Sequence, residues 1–129
     1  MLNAGVGNYN LVRLSSILPL DSTMKRDIEL PYGALLPIAY AEISTNTAGE
    51  RVSAAVAIGF PKEENACGVI MEYEGICSQE KAELIVADMV KEGFSKRGWT
   101  LDRIDMKSSS AESHGDYATA FACVAEWEE

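Results

Sequence analysis

Two short runs in this 129-residue sequence carry side chains that could do chemistry. The first is Ser15-Ser16. A serine hydroxyl can attack the preceding carbonyl in an N-to-O acyl shift. The ester then breaks by β-elimination, and hydrolysis of the dehydroalanine leaves a pyruvoyl group. Such a ketone condenses with amines and acts as an electron sink, as pyridoxal does. The dipeptide alone is weak evidence, because eleven serines in 129 residues give about one adjacent pair by chance. Ser108-Ser109-Ser110 supplies rival pairs, in a polar stretch that reads as surface loop. The surroundings of Ser15-Ser16 are more pointed. Gly5-x-Gly7-Asn8-x-Asn10 comes before the pair and Ile17-Leu18-Pro19 after it. Glycines allow close backbone approach. The Asn10 amide could hydrogen-bond a strained carbonyl or an oxyanion, and Pro19 stiffens the exit. The alternative is a strand-to-turn junction whose serines cap free N–H groups.

The second run is Met71-Glu72-Tyr73-Glu74-Gly75. On a strand, Glu72 and Glu74 share a face, with about 7 Å between their Cα atoms. Val69, Ile70 and Met71 lead directly into Glu72. A carboxyl in that company is partly desolvated, which favours its neutral form. A general acid working near neutral pH needs that tuning. The alternative is a strand running out into solvent with both glutamates exposed.

Other chemistries find less support. The single histidine, His114, has no obvious partners for a Ser-His-Asp triad. No P-loop or complete G-x-G-x-x-G is present, and no lysine context suggests a pyridoxal site. Cys67, Cys77 and Cys123 fall at irregular spacings, with no pair at zinc spacing, so neither a metal site nor a disulfide framework is expected. Reduced thiols, with no signal-peptide pattern and no long apolar run, point to a cytoplasmic protein without a membrane span. Twenty acidic against eleven basic residues give a net charge of −9. That argues against a nucleic-acid partner, which calls for a basic stripe. An acidic surface can instead attract a cationic small molecule.

The elements that must position these residues follow from the patterning. A chain of this size is one domain and hides roughly two-thirds of its unfolded surface. Residues 8–18 alternate, with Tyr9, Leu11 and Arg13 on one face and Asn10, Val12 and Leu14 on the other, as a strand does. Further strands are expected over 34–45, where Pro37 hints at an edge or bulge, and over 51–60, whose continuous apolar run suggests burial on both faces. Others are expected over 67–74, 101–107 and 117–127. Ser78 is placed to cap a helix over 79–97. Its apolar stripe is Ala82, Ile85, Val86, Met89, Val90 and Phe94, and Gly98 stops it. Six strands with short connections and one helix indicate an α+β fold on a mainly antiparallel sheet.

The sequence also resembles a known family. The run from Leu2 through Gly5-Val6-Gly7-Asn8 and Ser15-Ser16 to Pro19 closely resembles the processing segment of pyruvoyl-dependent arginine decarboxylases. So do the blocks Pro31 to Pro37, Gly49 to Ala55, Cys67-Gly-x-Ile-Met-Glu-Tyr-Glu-Gly75 and Arg97-Gly-Trp-x-Leu-Asp-Arg103. The similarity covers nearly the whole chain. It implies self-cleavage between Ser15 and Ser16, giving a β chain of residues 1–15 and an α chain of residues 16–129. Ser16 would become the covalently formed pyruvoyl cofactor. Asn10 matches the asparagine that assists processing, and Glu72 the glutamate proposed as proton donor. The implied reaction is decarboxylation of L-arginine to agmatine and carbon dioxide. The implied fold is a layered αββα sandwich, assembled as a homotrimer or a dimer of trimers with sites between subunits. Members usually carry several tens of residues ahead of this segment, which supply a further strand and acidic contacts to the substrate, whereas this sequence starts with Met1-Leu2-Asn3. A decarboxylase for another amino acid, or an unprocessed non-catalytic homologue, are the other readings.

Overall fold

The computed structural model describes residues 1–15, 17–25 and 29–127. Alternation and capping build the elements in chain order. A 3-10 turn over Leu2–Ala4 precedes β1 (Asn10–Arg13), β2 (Ile17–Leu18), β3 (Leu35–Thr45), β4 (Arg51–Pro61) and β5 (Gly68–Ile76). Helix α1 (Gln79–Arg97), β6 (Leu101–Glu112) and β7 (Ala118–Ala125) complete the chain. The strands form two sheets, one in the order β1-β3-β7 and one in the order β2-β5-β4-β6. Every pairing is antiparallel except β1 with β3. The result is an α+β sandwich.

β4 shows why these residues pack as they do. Val52, Ala54 and Val56 face the other sheet and meet Ala41, Ala120 and Ala122. Ala55 and Ala57 face α1 and meet Ala82, Val86, Val90 and Phe94. A strand buried on both faces needs side chains that are apolar on both, and small ones let the layers close. Burying each of Val86, Val90 and Phe94 is worth about 1.5–3 kcal/mol. A Cβ on Gly59 would lie 2.4 Å from Val90 Cγ1 and 2.5 Å from Phe94 Cε2, so glycine is what lets the helix settle there.

Helix α1 starts and stops where its caps dictate. The Ser78 hydroxyl accepts the Lys81 N–H at 3.2 Å, and Gly98 closes the C-terminus in the left-handed region with φ 69°. On the opposite side of the molecule the described residues place no α-helix over β3. There Val6, beside the 3-10 turn, is buried against Leu36 and Ile38, with Tyr9, Leu11 and Leu30 packed around them. No helix among the described residues is long and apolar enough to cross a membrane.

Three expectations need correction. The stretch 8–18 is not one strand: β1 and β2 belong to different sheets. Ser108-Ser109-Ser110 is not a loop but the middle of β6. Its polarity is met from within. Ser108 bonds Gln79 and Glu83 of α1, and Ser110 bonds Ser53 and Arg51. Pro37 lies in the central strand of its sheet rather than at an edge. It is tolerated because the β3–β7 ladder begins only at Ile38, and the Pro37 carbonyl accepts the Glu126 N–H past the end of β7.

Candidate functional site

The chain changes sheets between Leu14 and Ile17. Leu14 still belongs to the β1 side, its N–H donating to the Ile38 carbonyl of β3 at 2.8 Å. Ile17 already pairs with Val69 of β5 in the other sheet. Both ends of the crossing are tied down by apolar side chains. Leu14 and Leu18 pack into one cluster with Ala39, Ile58 and Ile70, while Ser15 between them is exposed. Ser16 lies outside the described residues.

Glu72 lies within electrostatic reach of Arg13, at the end of β1. On β5 it stands three residues beyond Val69, the antiparallel partner of Ile17. Ile70, two residues earlier on β5, is buried in the same cluster as Leu14 and Leu18. Glu72 is half-buried, and Glu74, on the same face of the strand, is exposed. Burial pushes the Glu72 carboxyl above the usual carboxylate range; the Arg13 guanidinium pulls the other way and the Glu74 charge adds to the rise. A half-buried carboxyl whose proton affinity is raised is suited to donating a proton to a reacting atom.

Arg13 had no role in the sequence reading, yet it is the basic group of this site. Its guanidinium lies 4.7 Å from the centre of the Tyr40 ring and donates to the Tyr40 carbonyl at 3.3 Å. The signal was its position two residues before Ser15, on the strand face that also carries Tyr9 and Leu11.

Asn10 stands at the end of β1 away from the crossing. It opens β1, and at about 3.3 Å per residue the strand alone separates it from Arg13 by about 10 Å. Its Nδ2 donates to the Gly33 carbonyl at 2.6 Å, which fixes the turn ahead of β3. Residues 1–15 are held by more than strand pairing, since Val6, Tyr9, Leu11 and Leu14 all pack into the two hydrophobic clusters along β3.

The remaining features lie apart from this cluster. A hollow of about 630 Å³ is lined by Met1, Leu2, Val6, Tyr9 and Leu11, and one of about 210 Å³ by Met71, Met89, Gly93 and Arg97. Among the described residues no group of three or more His, Cys, Asp or Glu is placed to hold a metal ion. The three cysteines are unpaired and half-buried.

Comparison with known proteins identifies the family of the chain. The sequence model of a family described as pyruvoyl-dependent arginine decarboxylase matches residues 1–128. A protein of Methanocaldococcus jannaschii bearing that name is 47% identical over 129 residues, covering 98% of this chain and 76% of the relative. Proteins of the same name from Thermococcus kodakarensis and Methanococcus vannielii are 41% and 38% identical, over 96% and 98% of this chain and 79% and 77% of theirs.

Proposed function

The chain belongs to the pyruvoyl-dependent arginine decarboxylases, and from that premise we propose that it cleaves itself between Ser15 and Ser16 and then converts L-arginine to agmatine and carbon dioxide. The group that such a cleavage would leave on Ser16 supplies, when formed, the electron-withdrawing ketone that amino-acid decarboxylation requires. The rest of the work falls to side chains of this protein. Leu14 and Leu18 hold the two ends of the crossing in the core, so that the chain ends left by a cut stay beside each other. Glu72 holds a proton and gives it to the substrate α-carbon after carbon dioxide has left. The surface charge of −9 draws in a cationic amino acid.

The observation that carries this reading is Glu72. Its burial and its place on β5, alongside the chain that leads into Ile17, are what a proton donor at that position needs. The test is a substrate panel. Incubated with the twenty standard amino acids in turn, the purified protein is expected to release carbon dioxide from arginine and to accumulate agmatine. Release from a different amino acid alone would move the specificity elsewhere. No release from any would favour a non-catalytic homologue.

The proposal extends to a cytoplasmic homotrimer, or a pair of trimers, with Asn10 of one subunit assisting the serine pair of the next. Two features support it. Asn10 is exposed, at the end of β1 away from the crossing. Val12, Ile17, Leu35 and Tyr32, around the crossing and the turn, are exposed apolar side chains of the kind that subunit contacts cover. Native mass spectrometry is expected to show trimers or hexamers, and refolding at dilutions that keep subunits apart is expected to leave the chain whole. Cleavage of isolated subunits would take Asn10 out of this role.

A further inference from the structure

We propose that Glu74 is a positioning residue: fixed on the edge of β3, its carboxylate holds a negative charge on the face of β5 that carries Glu72, and so makes Glu72 the carboxyl that bears the proton. This rests on the reading of Glu72 as proton donor.

The geometry begins with an incomplete sheet edge. β1 pairs with β3 only from Leu35 to Ile38. Beyond that point no strand among the described residues covers that side of β3, yet three of its backbone groups there find partners. The Ile38 carbonyl takes the Leu14 N–H. The Tyr40 carbonyl takes the Arg13 guanidinium at 3.3 Å. The Glu42 N–H donates to Glu74 Oε2 at 2.8 Å, from one sheet to the other. The side chains of Arg13 and Glu74 thus stand where a neighbouring strand would have been, each held by a backbone group of β3.

These are the two charges that act on Glu72, Arg13 from β1 and Glu74 from its own strand. Glu42, the charged residue of β3 at this edge, contributes its backbone N–H. Of two carboxyls about 7 Å apart on one strand, the exposed one serves as fixed acceptor and the half-buried one keeps the proton. Arg13 moderates the effect, so Glu72 releases its proton when the substrate carbon calls for it.

The experiment is a carboxyl-carbon NMR titration of Glu72 in the full chain, in the parent protein, Glu74→Gln and Arg13→Gln. Glutamine can still accept the Glu42 N–H, so the edge contact survives and only the charge goes. The Glu72 midpoint is expected to move to lower pH in Glu74→Gln, by about half a unit or more for a charge at about 7 Å. It is expected to move to higher pH in Arg13→Gln. A general loosening of the edge would not drive the two variants in opposite directions. Turnover measured on the processed enzyme is expected to follow, its fall at high pH setting in earlier in Glu74→Gln. A Glu72 midpoint that stays or rises in Glu74→Gln, while Glu72→Gln still depresses turnover, would overturn the proposal alone. Full turnover in Glu72→Gln would overturn the proton-donor reading and the proposal with it.

Discussion

Ser16→Ala is expected to leave the chain in one piece and to reduce arginine decarboxylation to background. The acyl shift needs a hydroxyl on the residue after the peptide to be broken, and alanine has none. Without the shift there is no ester, without the ester no β-elimination, and without elimination no ketone. The loss is therefore of a different kind from that caused by removing a binding contact. The whole rate enhancement that depends on the electrophile disappears at once, because the electron sink carries the hard chemistry. The fold is expected to persist, because the anchors of the crossing are Leu14 and Leu18, and neither is altered. Far-ultraviolet circular dichroism and the thermal midpoint of Ser16→Ala should match those of the uncleaved parent. Electrophoresis and an arginine assay on the same sample then separate lost chemistry from lost structure.

The second large effect is expected at Glu72. Glu72→Gln should still cleave between Ser15 and Ser16 but turn over more slowly, by about 10²–10⁴-fold, the usual contribution of a positioned general acid. Glutamine keeps the size of the side chain and its fit against Ile70 and the sheet interior, and removes only the transferable proton. The pH dependence has a definite sign. Burial raises the proton affinity of Glu72 above the ordinary carboxylate value. The donor form is then present below the raised pKa and lost as pH climbs through it, so turnover in the parent should fall on the alkaline side. In Glu72→Gln that fall should be missing from the residual rate. Single-turnover assays across pH on parent and variant would check it, and equal turnover in the two would remove Glu72 from the mechanism.

Much of the architecture was legible because it is written in local periodicity. Ser78, Gly98 and the apolar stripe between them define α1 to the residue, since caps satisfy orphan groups of the backbone that no distant contact can satisfy. The double burial of β4 could be read from Val52–Ile58, where no polar alternation interrupts the run apart from Ser53. The serines of β6 misled for the same reason that helped elsewhere. Polar residues signal solvent when considered one at a time, and their partners Glu83, Gln79 and Ser53 are far away in sequence.

The site was legible in part. Glu72 stood out because apolar residues precede it along one strand. The change of sheets at Ser15-Ser16 left no such mark, since alternation continues smoothly from Tyr9 to Leu14 whichever sheet follows. Arg13 and Glu74 gain their places from the exposed edge of β3, a feature of pairing between sheets and not of any stretch of sequence. The separation of Asn10 from Arg13 needs only the length of β1. It follows from strand rise once β1 is known to be extended.

The central claim is that this chain makes its own electrophile by breaking the bond between Ser15 and Ser16. Intact-mass spectrometry of the purified protein, under denaturing conditions and after incubation at neutral pH, tests it most directly. The expected result is two chains in equal amount, residues 1–15 ending in a free carboxyl group and residues 16–129 beginning with a pyruvoyl group in place of serine. A single unbroken mass, or a cut that leaves an intact serine at the start of the larger chain, would contradict it.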